Sequence, residues 1–157
     1  MFSEIYAFTD GSFSTKNGGG WGYVFYTTYK KKTLVWYGQG RQLHTTNQRM
    51  ELTALIKCIK KIPKCKTLIL HLDSKYVLTG LSDHLEETLQ KLDGWYVRKK
   101  DPKNKDLWDE LMKDMQVLIK RSNVKLKWVK GHSGLCKGNT IADKLARNLE
   151  IKDWSLD

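Results

Sequence analysis

The sequence predicts an α/β fold in which a mixed sheet is covered by helices on both faces. Three observations carry this. Runs of β-branched and aromatic residues fill the first forty positions, helical spacing takes over after Asn47, and the later apolar runs alternate between strand and helix periods. The 157 residues suffice for one compact core. With only two prolines, Pro63 and Pro102, and no Ser- or Pro-rich tract or internal repeat, a single domain over residues 1–157 is expected.

Residues 5–9, 21–27 and 33–37 are expected as three antiparallel strands, separated by Gly18-Gly19-Gly20 and Lys30-Lys31-Lys32. Leu52, Leu55, Ile56 and Ile59 then recur at helical spacing, with Thr46 or Asn47 as N-cap and Pro63 as the stop. Leu68-Ile69-Leu70 reads as a buried strand leading to Asp73, and Val77, Leu78, Leu81 and Leu85 as the helix after it. Residues 91–105 show no period, carry Lys91, Arg98, Lys99, Lys100, Lys103 and Lys105, and form a basic excursion. A stripe of Trp108, Leu111, Met112, Met115 and Ile119 predicts a helix, residues 124–129 a strand, and residues 141–149 a final helix.

Lys and Arg total 28 against 17 Asp and Glu, a formal charge of +11 that favours a polyanionic partner without naming a chemistry. The N-terminus has no basic stretch followed by an apolar run, and no eighteen apolar residues occur together. No membrane association is expected, and the setting expected is cytoplasmic or nuclear. Cys58, Cys65 and Cys136 are odd in number and lack zinc-type spacing, which fits reduced thiols.

Three carboxylates stand in unusual places: Asp10 and Asp73 after apolar strands, and Glu51 early in the first long helix. Each has an ordinary reading. Asp73 before Ser74 suits a helix N-cap, Glu51 is favoured by the helix dipole, and Asp10-Gly11 is a common turn dipeptide. Strand ends in open α/β sheets nevertheless gather ligands, and clustered carboxylates repel one another unless a hard cation compensates.

The motifs Thr9-Asp10-Gly11-Ser12, Thr46-Asn47-Gln48-Arg49-Met50-Glu51-Leu52 and Leu72-Asp73-Ser74-Lys75-Tyr76-Val77 occur in that order. They are followed by Asp106-Leu107-Trp108, Trp128-Val129-Lys130-Gly131-His132-Ser133-Gly134, Gly138-Asn139 and Ala142-Asp143. Through them the chain resembles the type 1 ribonuclease H family over almost its whole length. The resemblance implies a ribonuclease H-like fold, a five-stranded mixed sheet with three antiparallel strands followed by two parallel ones. It implies a hydrolase, an endonuclease that cuts the RNA strand of RNA–DNA hybrids with two Mg²⁺ ions, for which Mn²⁺ can substitute, and leaves 5′-phosphate and 3′-hydroxyl ends.

By the same resemblance Asp10, Glu51, Asp73 and Asp143 are the metal-binding carboxylates. Asp143 enters only this way, because spacing alone reads Ile141-Ala142-Asp143 as a helix with one polar residue. His132, on a loop flanked by Gly131 and Gly134, is implied as a proton shuttle. Gly11, Ser12, Asn47 and Gln48 are implied at the minor groove, where 2′-hydroxyls mark the RNA strand, and Thr46 and Asn104 at a DNA phosphate. Residues 91–105 resemble the family's basic handle, with Arg98, Lys99 and Lys100 toward phosphates and Trp95 toward the DNA backbone.

The chain departs from the family pattern in places. Gln48 stands where a second Asn is common, Lys75 where Gln is common and within reach of a phosphate, and Thr140 where an acidic residue often sits. The loop from His132 to Asp143 is one residue longer. A monomer without a separate N-terminal hybrid-binding module is expected. Two rival readings stay open at this level: a non-catalytic nucleic-acid-binding module, and a nuclease acting on DNA junctions.

Overall fold

The computed structural model describes residues 1–85, 103–130 and 136–156. Its strands are β1 (Phe2–Ser14), β2 (Gly18–Tyr29), β3 (Lys32–Gln42), β4 (Cys65–Leu72) and β5 (Asn123–Trp128). The helices among the described residues are α1 (Asn47–Lys61), α2 (Lys75–Leu85), α3 (Lys105–Arg121) and α4 (Lys137–Ala146). They form one five-stranded sheet in the order β3-β2-β1-β4-β5. β1, β2 and β3 pair antiparallel, whereas β4 runs parallel to both β1 and β5, as the sequence predicts.

Alternation along the strands divides the core in two. Ile5, Ala7, Phe25, Leu68 and Leu70 face α1, with Leu111 and Met115 of α3 in the same cluster. Phe8 and Val24 face the other way and pack with Ile141, Ala142 and Leu145 of α4. The exposed Lys60 pairs with Asp114 at 2.8 Å and Glu110 at 3.8 Å, joining α1 to α3. Cys58, Cys65 and Cys136 are free thiols. Among the described residues no helix is long and apolar enough to cross a membrane.

Three expectations need correction. First, the opening strands run longer than their apolar cores suggest, and Gly18-Gly19-Gly20 belongs to β2 rather than to the loop before it. Gly18 enters the strand with φ 73°, and the other two glycines serve close packing: a Cβ at Gly20 would lie 2.0 Å from Ala146 O, and one at Gly19 2.2 Å from Thr45 Cγ2. Second, Asp10-Gly11 is no turn. Both residues lie inside β1, opposite Gly22 and Trp21 of β2. Third, the last helix spans Lys137–Ala146, starting and ending earlier than its apolar spacing indicates. Gly138 lets its first turn settle on Phe8, where a Cβ would fall 2.4 Å from the ring, and Asn148 leaves the helix with φ 56°.

Candidate active site

β1 and β4 stay in register up to Thr9 opposite Leu72, so Asp10 and Asp73 emerge side by side where the parallel pairing stops. Glu51 is brought to them by Gly11. A Cβ at this position would lie 2.2 Å from Glu51 N and 2.4 Å from Met50 C, so only a glycine lets α1 sit this close to β1. Asp10, Glu51 and Asp73 each present one carboxylate oxygen, all within 4.8 Å of one another. They share a small cleft with Thr9, Leu72, Ser74 and Val77.

The cleft is strongly biased against its own negative charge. Asp10 is 6% exposed, and burial, Asp73, a hydrogen bond with Asp143, and the charges of Asp143 and Glu51 push its carboxyl up to about 9. Its Oδ1 accepts one bond, from Gly11 N–H at 2.9 Å. Burial also raises the Glu51 carboxyl. The Ser74 hydroxyl, at 2.5 Å from Oε2, opposes this, Asp73 adds to it, and Asn47 Nδ2, at 3.0 Å from Oε1, opposes it again.

The fourth acid arrives from the other face of the sheet. Asp143 lies on α4, hydrogen-bonds with Asp10 and receives Arg147 Nη1 at 3.3 Å. The helix reaches that far because Gly22 leaves room for it: a Cβ there would fall 2.6 Å from Leu145 Cβ and 2.8 Å from Ala142 O. An all-oxygen donor set with a suppressed negative charge fits a hard divalent cation, which would favour ionised carboxylates.

The remaining residues singled out in the sequence fall as follows. Thr46 is the N-cap of α1, its Oγ1 accepting from Arg49 N–H at 3.2 Å. Asn47 and Gln48 are exposed in the same turn, and Ser12 is half-buried on β1. Lys75 opens α2 with its ammonium 5.5 Å from the Trp128 ring centroid. Asn104 is the N-cap of α3, with φ 63°, and its side chain joins Arg49 to Tyr76. Trp95, Arg98, Lys99, Lys100 and His132 lie outside the described residues.

Ser74, rather than Asp73, caps α2: its Oγ accepts from Val77 N–H at 3.2 Å while its hydroxyl holds Glu51. Sequence reasoning missed that double duty, although a serine between strand and helix is its ordinary signal. It also missed Arg49, which grips Asp106 with two bonds of 2.9 and 2.8 Å.

The RNase H family model matches residues 3–150. A ribonuclease H of Ruthia magnifica subsp. Calyptogena magnifica is 45% identical over 148 residues, covering 92% of this chain and 93% of the relative. A ribonuclease HI of Neisseria meningitidis serogroup B is 38% identical over 149 residues, covering 93% and 94%. Among solved structures, that of LC9-RNase H1, described as a type 1 RNase H with the type 2 active-site motif, superposes with a TM-score of 0.73. It is 20% identical, and the match covers 94% of this chain and 72% of that one, a likeness of fold. On the family match and the shared sequence, the chain belongs to the RNase H family.

Proposed function

We propose that this protein is a ribonuclease H, an endonuclease that hydrolyses the RNA strand of RNA–DNA hybrids and leaves 5′-phosphate and 3′-hydroxyl ends. The observation that carries the reading is the convergence of Asp10, Glu51 and Asp73, from β1, α1 and the residue after β4, with Asp143 of α4 reaching Asp10. Relatives named ribonuclease H and HI, similar over nearly the whole chain, support it. The chain acts as one domain and as a monomer.

Asp10, Glu51, Asp73 and Asp143 would hold two Mg²⁺ ions, with Mn²⁺ able to substitute. Two such ions supply activation of the attacking water and charge stabilisation at the leaving 3′ oxygen. The protein supplies placement: Asn47 and Ser74 each take one oxygen of Glu51, and Gly11 N–H orients Asp10. His132 shuttles a proton on the strength of its motif.

Hybrid recognition uses Gly11, Ser12, Asn47 and Gln48 at the minor groove, with Asn47 nearest the 2′-hydroxyls. Thr46 and Asn104 bind a DNA phosphate, Lys75 another phosphate beside Asp73, and Trp95, Arg98, Lys99 and Lys100 the DNA backbone.

The test incubates the full chain with end-labelled RNA–DNA hybrid, double-stranded RNA and double-stranded DNA, in Mg²⁺ or in EDTA. Mg²⁺-dependent cutting confined to the RNA of the hybrid is expected. Binding of the hybrid with no cutting in Mg²⁺ or Mn²⁺ would overturn the proposal in favour of a binding module.

A further inference from the structure

A cavity of about 190 Å³ lies between α4 and the segment that follows it. The carboxylate cleft offers about 10 Å³, room for little more than one water. No residue given a part in hydrolysis lines the larger space. α4 contributes Lys137, Thr140, Ile141 and Lys144, whose helical spacing puts them on one stripe. The opposite wall is Ile151, Asp153 and Ser155. That wall is anchored, because Leu156 is buried in the second core cluster, Ile151 packs against the same cluster, and the Trp154 ring rests on Tyr37 with centroids 4.8 Å apart. The space is therefore formed before any ligand arrives.

Lysines on an outer helix stripe are ordinarily just solvated. Here a carboxylate stands across from them. Asp153 Oδ1 accepts from Ser155 N–H at 3.0 Å and from the Ser155 hydroxyl at 2.6 Å. Those bonds, and then the ammoniums of Lys137 and Lys144, hold the Asp153 carboxyl below its usual range. Both bonds fall on Oδ1, which leaves Oδ2 with no hydrogen-bond donor among the described residues. Lys144 enters no ion pair among them. Two ammoniums against one carboxylate leave the lining residues net positive.

Cations alone would suit any anion. The carboxylate narrows the choice, since it repels a plain anion and calls for hydroxyl donors to Oδ2. The two isoleucines call for an apolar surface. One ligand class joins all three demands, a ribonucleoside monophosphate. It carries a phosphate for the ammoniums, ribose hydroxyls for the carboxylate, and a base whose face lies on apolar side chains.

We propose that the cavity between α4 and residues 151–155 binds a ribonucleoside 5′-monophosphate, either free or as the phosphorylated 5′ end of an RNA strand. Lys144 takes the phosphate, with Lys137 adding to its field. Asp153 takes the ribose hydroxyls, and Ile141 and Ile151 carry the base. Binding here requires no cutting, so the site stands apart from the ribonuclease reading above.

The experiment is calorimetry on the full chain in EDTA with AMP, dAMP, adenosine and inorganic phosphate. AMP should bind about tenfold tighter than dAMP, through the hydrogen bond of its 2′-hydroxyl to a charged acceptor. It should also bind tighter than adenosine or phosphate. Lys144→Gln should weaken AMP by about fivefold, the worth of one exposed ion pair. Asp153→Ala should erase the preference for AMP over dAMP while phosphate binds as well or better, a split that damage to the fold does not produce. A 5′-phosphorylated RNA trimer and its 5′-hydroxyl form separate the two sources. A preference for the phosphorylated trimer that Lys144→Gln removes assigns the site to RNA ends, and AMP binding without that preference assigns it to free nucleotides. The inference fails if AMP does not bind, if dAMP or phosphate binds as well as AMP, or if both substitutions leave AMP binding unchanged.

Discussion

Arg49 and Glu51 stand two residues apart on α1, yet they serve two polar clusters of opposite design. Arg49 closes a bidentate pair with Asp106 and also donates to Asn104, whose amide donates in turn to the Tyr76 hydroxyl. Trp108 Nε1 completes that cluster with a 2.8 Å bond to the same hydroxyl. Opposite charges meet there, and the Asp106 carboxyl is held down to about 2, chiefly by the Arg49 hydrogen bonds. Around Glu51, like charges are pressed together and partly buried, and the Asp10 carboxyl is driven up to about 9. The first cluster fastens α1, α2 and the start of α3 to one another. The second withholds compensation, which is how a site is kept ready for a cation.

The largest expected effect breaks the second cluster. Asp73→Asn or Glu51→Gln should lower hybrid hydrolysis by on the order of 10³-fold with the fold retained. Single-turnover cutting and circular dichroism check this together, and rates within tenfold of the wild type would remove these acids from the site.

The next effect concerns stability. Asp10 is protonated in the folded, metal-free protein up to about 9, whereas an unfolded aspartate ionises near 3.8. The unfolded chain therefore releases a proton that the folded one keeps. Stability from this group is full below the lower value and is lost as pH rises toward the upper one. In EDTA the wild type should weaken steadily from pH 4 to 9. Asp10→Asn should remove most of that slope and stabilise the metal-free protein by on the order of 2 kcal/mol at pH 8. Mg²⁺ should then raise the melting temperature of the wild type and leave the variant nearly unmoved. A flat wild-type profile would show that Asp10 is not held protonated.

The smallest effect tests the paired cluster. The Asp106 side chain is 65% exposed, so Arg49→Ala should cost only about 1 kcal/mol, less in high salt. It should also weaken hybrid binding through the loosened Asn104 while leaving the rate on saturating hybrid unchanged. If turnover falls and binding holds, the two clusters are not separate in function.

Much of this contrast was legible in the sequence, and the parts that were not share a physical cause. Apolar periodicity located every described strand and helix because burial of one face is a local pattern. It placed the edges badly where glycines serve close packing instead of turning the chain, as at Gly19-Gly20 and Asp10-Gly11. It found the α3 stripe through Ile119, which packs against the core, but left out Leu118, buried at 2% exposure beside it. Asp73 looked like a cap and Ser74 did not, because a capping bond depends on backbone direction at the junction, which composition does not encode. Arg49 and Asp106 are 57 residues apart, and nothing local links them.

The four carboxylates divide along the same line. In the sequence Asp10 and Asp73 follow apolar strand runs and Glu51 stands early in the first long helix, so their residue types and places point to a site before any coordinates. The sequence by itself therefore determined the fold class, the order of elements and the family, since these rest on periodicity and short motifs. Only the tertiary structure decided that Asp143 reaches Asp10 from the opposite face of the sheet. It alone showed that Ser74 serves both a helix and Glu51. Those facts depend on which surfaces approach in space, and glycines at Gly11 and Gly22 set those distances by lacking a single carbon.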